Sequence, residues 1–139
     1  MKNKKINSLK APEPVGFYPH ARQVGNLLFL SGVGPRERGK KEIPGVTLDH
    51  KGKILSYDIR KQCHSVFKNI KQILEESGCT WNDLVDVTVY LTNMKADFQD
   101  YNKVYEEYFS ENQPCRTTIE INSLPTPIAI ELKCIALIR

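Results

Sequence analysis

The chain has 139 residues, 40% of them hydrophobic and 26% charged, with a formal net charge of +4. That length suits one domain with its own core and leaves little room for two, and the balance is that of a globular protein rather than a disordered or fibrous one. Part of the positive excess is local, in "MKNKK" and "RERGKK"; no basic stripe interleaved with aromatics and no apolar run of membrane-spanning length occurs, so neither nucleic acid nor a membrane is an expected partner.

Residues 1–15 hold two prolines and many polar residues and read as an extended, partly mobile leader to a single domain over 1–139. No apolar segment follows "MKNKKINSLKAPEP", so no signal peptide is expected. "RQVGNLLFLSG" contains two short apolar runs split by Gly25-Asn26, the pattern of a strand, a tight turn and a strand. "PRERGKKEIPG" reads as a loop, and "VTLDHKGKI" as a further short strand pair turning at Lys51-Gly52.

"DIRKQCHSVFKNIKQILEESG" carries Ile59, Cys63, Val66, Phe67, Ile70, Ile73 and Leu74 on one helical face, with Asp58 at the positive end and Gly78 as a stop. "LVDVTVYL", at 84–91, is β-branched and nearly continuous in apolarity, as a central strand is. "ADFQDYNKVYEEYF" returns to helical spacing, and its stripe Phe98, Tyr101, Val104, Tyr105 and Tyr108 reads as core packing. "CRTTIEI" and "IAIELKCIALI" are two strands joined by "NSLPTP" and expected to form a terminal antiparallel pair. The order implies an α+β architecture, a mixed sheet with two helices on one face.

Few motifs carry chemistry. "SGVGPRERGKK" has glycines and lysines at the wrong spacing for a phosphate loop, and no nucleophilic triad stands out. Cys63, Cys79, Cys115 and Cys134 form no C-x-x-C pair and have no zinc spacing; they read as reduced thiols of a cytoplasmic protein, with Cys63 and Cys134 in the core. His64, beside the apolar helix face, reads as structural. What stands out is the pair of charges in the last two strands, Arg116 and Glu131. They pair on a solvent face, or they are aimed at a ligand, with the last strand folding back to bring Glu131 toward Arg116.

The succession "PVGFYPHARQVGNLLFLSG", "DIRKQCHSVFKNIKQILEESG", "LVDVTVYLTNMKADFQDYNKVYEEYF" and "PCRTTIEINSLPTPIAIELKCIAL" resembles the Rid family of reactive intermediate deaminases, also called the YjgF family, from about Ala11 to the C-terminus. The most specific pieces are "PCRTTIEI" and "IAIELKCIA". The resemblance implies a chorismate-mutase-like fold, a homotrimer with clefts at its subunit interfaces, and cofactor-free, metal-free hydrolysis of enamines and imines to keto acids and ammonia. It implies that Arg116 grips a small-molecule substrate's carboxylate and Glu131 positions or activates the water. It places Tyr18, Ser31, Gly32, Asn102 and the Thr118 main chain at the substrate.

"YPHARQVGN" and "SGVGPRERG" depart from the commonest family pattern, while "TNMKADFQDYNKVYEEYF" and "RTTIEINSLPTP" look closer to a 2-aminomuconate deaminase branch. The expected activity is of the 2-iminobutanoate/2-iminopropanoate type. The alternatives are a 2-aminomuconate-type deaminase, with His20, Arg22, Arg36 or Arg38 meeting a second carboxylate, and a non-catalytic small-carboxylate binding protein. A ribonuclease reading lacks a histidine pair or a metal-site carboxylate cluster.

Overall fold

The Gly25-Asn26 pair makes the turn its neighbours require. Gly25 takes φ 62° and Asn26 stays at negative φ, as a type II′ hairpin demands, so β2 (Ala21–Val24) and β3 (Leu27–Leu30) pair antiparallel. The computed structural model describes all of residues 1–139. It adds β1 (Asn3–Ile6), the short antiparallel pair β4 (Val46–Leu48) and β5 (Ile54–Tyr57), and helix α1 (Ile59–Glu76). Then come β6 (Leu84–Leu91), α2 (Met94–Phe109), β7 (Cys115–Glu120) and β8 (Ile130–Leu137).

The ends of α1 are those its sequence indicates. The Asp58 side chain accepts from the amides of Arg60 and Lys61 at 3.0 and 3.2 Å, and Gly78 follows the helix at φ 79°. Asn93 caps α2 by accepting from the Ala96 amide at 3.1 Å. Both helices lie on one face of a six-stranded sheet ordered β1-β2-β3-β8-β6-β7. Leu28 and Leu30, Val87, Val89 and Leu91, and Ile130, Leu132 and Cys134 meet Phe67, Ile70, Leu74, Tyr101 and Val104 there, all at 1% exposure or less. Burying a large apolar side chain stabilises the fold by about 1.5–3 kcal/mol, so this layer dominates stability. Phe98, expected in the core, is instead 37% exposed.

The antiparallel pairing expected of the last two strands is corrected below, and the extended leader does not stand free of the domain: β1 extends the sheet by pairing with β2, and the following residues are strapped down. Arg38 donates to the carbonyls of Ala11 and Ser8 at 2.8 Å, Arg36 to that of Glu13 at 2.8 Å, and Glu76 accepts from the Ser8 hydroxyl and the Leu9 amide. Nor do β7 and β8 pair. β6 lies between them, parallel to β7 and antiparallel to β8. The near-continuous apolarity of β6 explains this, because a strand buried so deeply needs a hydrogen-bonded neighbour on each edge. β6, α2 and β7 thus make a βαβ crossover, leaving β7 at the sheet's free edge.

No element covers the other face of the sheet. Phe29, Ile135 and Tyr90 lie on it half-buried, with Ile119 and Val85 40% and 42% exposed. No helix is long and apolar enough to cross a membrane.

Candidate functional site

Arg116 sits on β7 opposite Val87 of β6, and Val87 is fully buried against the helices, so register puts the arginine on the helix side of the sheet. There α2 receives it. Nη1 donates to Asn102 Oδ1 at 2.8 Å, and the guanidinium carbon lies 4.7 Å from the Tyr105 ring centroid and 5.5 Å from that of Tyr101. Tyr101 and Tyr105 are one helical turn apart, which makes a continuous aromatic platform beneath the charge. No carboxylate pairs with Arg116. A plain surface ion pair with Glu131 is therefore not what this arginine does. Asn102, Tyr105 and Arg116 line an open cavity with Glu106, Gln113 and Pro114.

Thr118 lies two residues further along. Its hydroxyl shares a hydrogen bond with Tyr101 Oη at 2.9 Å. The Ile121 amide donates to the Leu91 carbonyl of β6, so strand alternation turns the Thr118 carbonyl outward, to the free edge of the sheet.

Glu131 belongs to a different place. It faces Tyr90 on β6, three residues from Val87, and the odd step puts it on the uncovered face. Within one copy of the chain Arg116 and Glu131 are on opposite sides of the sheet with β6 between their strands. The expectation that β8 folds back to bring them together is corrected by strand order.

What surrounds Glu131 is a bulge. β3 pairs with β8 up to Phe29↔Ile135 and rejoins it at Val33↔Leu132, so β3 takes four steps while β8 takes three. The extra residue turns out Ser31 and Gly32. Ser31 Oγ donates to the Pro19 carbonyl at 2.7 Å and its amide to the His20 carbonyl at 2.9 Å, which fixes the Tyr18 loop against the bulge. The Tyr18 hydroxyl accepts from the Val15 amide at 3.1 Å. The Glu131 carboxyl lies across Gly32: a Cβ there would stand 2.8 Å from its Cδ. A side chain at this position would push the Glu131 carboxyl out of its place.

Half-burial raises the Glu131 pKa above the ordinary carboxylate value, and the nearby positive charge of Arg36 offsets part of that rise. A carboxylate of raised pKa suits proton transfer. Tyr18, Ser31, Gly32 and Glu131 share one cavity with Lys133.

The seven residues named by resemblance thus fall into two groups. Arg116, Asn102 and Thr118 belong to the β7–α2 edge; Tyr18, Ser31, Gly32 and Glu131 belong to the bulge. Tyr105 and Lys133 were not picked out in the sequence. Tyr105 was legible only as an apolar-phase aromatic, although its spacing of three from Asn102 placed both on the same side of α2. Lys133 was legible as the residue two after Glu131, hence on the same strand face.

Three of the four residues expected to meet a second carboxylate are engaged elsewhere. His20 is buried, its Nδ1 accepting from the Ser8 amide at 2.9 Å and its Nε2 donating to the Pro12 carbonyl at 2.7 Å. Arg38 holds the leader, and Arg22 donates to Asn3 Oδ1 at 2.9 Å. Arg36 spends one nitrogen on the Glu13 carbonyl, and its charge is near enough to Glu131 to lower that carboxyl's pKa.

Residues 8–138 match the family model described as Endoribonuclease L-PSP. The chain is 42% identical over 127 residues to a RutC family protein of Pyrococcus abyssi, covering 91% of each. It is 34% identical to Reactive Intermediate Deaminase A, chloroplastic, of Arabidopsis thaliana, over 98% of this chain and 66% of the other. It is 33% identical to the 2-iminobutanoate/2-iminopropanoate deaminase of Dermatophagoides farinae, over 96% and 95%. Among solved structures, E. coli TdcF with bound serine superposes with a TM-score of 0.83 at 27% identity, over 98% of this chain and 99% of that one.

Proposed function

The chain belongs to the Rid (YjgF) family, and we propose that it is a cofactor-free hydrolytic deaminase of the 2-iminobutanoate/2-iminopropanoate type, with its site completed between copies of the chain in a homotrimer. The observation that carries this reading is the state of the two charges. Arg116 is steadied by neutral groups and spends its charge on no carboxylate, and Glu131 is a half-buried carboxyl of raised pKa.

The chemistry asks for little more. Arg116 takes the substrate carboxylate in two parallel charge-assisted hydrogen bonds, a geometry lysine cannot reproduce. The outward Thr118 carbonyl accepts an N–H of the imine nitrogen. Glu131 holds a water and takes its proton as the oxygen attacks the protonated imine carbon. The carbinolamine then collapses: Glu131 returns the proton to the nitrogen, the carbon–nitrogen bond breaks as the hydroxyl oxygen forms the C=O and gives its own proton to the freed carboxylate, and imine plus water has become keto acid plus ammonia. Tyr18 and Ser31 wall the cavity.

Opposite faces of one sheet cannot close on one substrate, so the Arg116 edge of one copy meets the Glu131 face of the next. Such a head-to-tail contact closes as a ring, and the sheet face left bare by the helices supplies the surface to be covered. The bound serine in TdcF is a small carboxylate, consistent with the same class of ligand here.

The test is complementation. Arg116→Ala and Glu131→Gln chains, each nearly inactive alone, are refolded together and ammonia release from 2-iminopropanoate is followed. Random mixing of chains in a ring gives an intact pair of half-sites at about one interface in four, so roughly a quarter of wild-type activity returns. No recovery sinks the shared site; no release by the wild-type chain sinks the deaminase reading.

A further inference from the structure

We infer that Lys133 is a specificity residue that binds a second, distal carboxylate, so that the preferred substrates are imines of acidic amino acids. This rests on the deaminase reading above and names its substrate class.

Lys133 stands two residues after Glu131 on β8, on the same uncovered face, and its side chain is exposed. It shares the shallow, open cavity of Tyr18, Ser31, Gly32 and Glu131, whose apolar lining is Val15 and Pro125. Its Nζ donates to the Leu30 carbonyl at 2.9 Å, at the start of the bulge where β3 has left the ladder. That single bond aims the ammonium at Ser31 and Gly32 and leaves two donors free. No carboxylate lies within ion-pair distance of it.

The charge count of the assembled site then points to the substrate. Arg116 takes the α-carboxylate. Lys133 shares its cavity with Glu131 but forms no ion pair with it, so its ammonium stays open to a second anion on the substrate. Among imines derived from the common amino acids, only those of aspartate and glutamate carry a second anion. An ammonium suits that task, since a compact point charge accepts a distal carboxylate at varied angles where a guanidinium fork demands one.

A structural role for Lys133, holding the Leu30 carbonyl and so the bulge, makes the opposite prediction: its loss would misplace Ser31, Gly32 and Glu131 for every substrate alike. The experiment compares 2-iminoglutarate with 2-iminobutanoate, each generated in situ by a flavin amino-acid oxidase, using the wild-type chain, Lys133→Met and Lys133→Arg. The expected result is that the ratio of kcat/KM for the diacid to that for the monoacid falls at least tenfold in Lys133→Met, mainly through KM, and is largely restored in Lys133→Arg. An unchanged ratio, whether both rates fall together or neither falls, overturns the assignment. Calorimetry with the keto acids 2-oxoglutarate and 2-oxobutanoate separates the two levels. If no ammonia is released from either imine but 2-oxoglutarate binding depends on Lys133, the deaminase reading fails and the subsite stands. If both imines are hydrolysed with a ratio indifferent to Lys133, the subsite fails and the deaminase stands.

Discussion

Arg116 stands on a regular edge strand, steadied by an amide oxygen and two aromatic faces, whereas Glu131 faces an irregular bulge and is shaped by burial and by a glycine. The difference fits the roles proposed for the two charges. A cation that must accept an incoming carboxylate is best oriented by neutral partners, which fix its direction without cancelling its charge. A carboxyl that must exchange a proton is best placed where solvation is partly withheld, because that moves its pKa toward the working pH. A substitution on the β7–α2 edge should therefore act mainly on binding, and one at the bulge mainly on rate.

The largest effect is expected at Arg116. On the proposed binding mode Arg116→Ala removes two charged hydrogen bonds to the substrate, each worth about 1.5–3 kcal/mol, so kcat/KM is expected to fall by about a hundredfold or more, with the circular dichroism spectrum unchanged. Arg116→Lys recovers little of it. A variant with wild-type turnover at low substrate would remove the arginine from the site.

Glu131→Gln comes next. It is expected to lower kcat by about 10²–10³-fold while 2-oxobutanoate, measured by calorimetry, still binds with near wild-type affinity. Equal losses in rate and affinity would erase the contrast between the half-sites.

Gly32→Ala should act like a weaker form of the same lesion. The added methyl occupies the ground over which the Glu131 carboxyl lies, and the backbone at position 32 is not in a left-handed conformation, so the strain is local. About a tenfold loss in kcat with a small change in Tm is expected, and a loss in Tm without a loss in rate would argue against it.

Asn102→Ala, in contrast, frees one end of the Arg116 guanidinium. One hydrogen bond of about 1 kcal/mol corresponds to a KM roughly fivefold higher with kcat nearly kept. The smallest effect is a shift of pH profile. Burial raises the Glu131 pKa and Arg36 offsets it, so activity fails as pH drops through a value above the ordinary carboxylate range. Arg36→Met removes the offset, and the acid limb of kcat should move to higher pH; a move to lower pH would show that Arg36 does not act on Glu131.

Much of the local structure was legible in the chain itself. The seven-residue apolar stripe from Ile59 to Leu74, the run at 84–91 and the Gly25-Asn26 turn each carry their signal within a few residues, where periodicity and φ preference act. So did the candidacy of Arg116 and Glu131, as charges in otherwise apolar strands. Tertiary structure decided the rest. Whether β8 pairs with β7 or with β6 depends on which strand needs two neighbours, a competition between segments far apart in sequence. The strap that ties down residues 8–14 depends on Arg36, Arg38 and Glu76 arriving from distant elements. The separation of Arg116 from Glu131 depends on register against the shared neighbour β6, where an odd step between Val87 and Tyr90 sends the two charges to opposite faces. Alternation along a strand is a local property, but which alternate faces the helices is settled only when the strands pair and one face is buried.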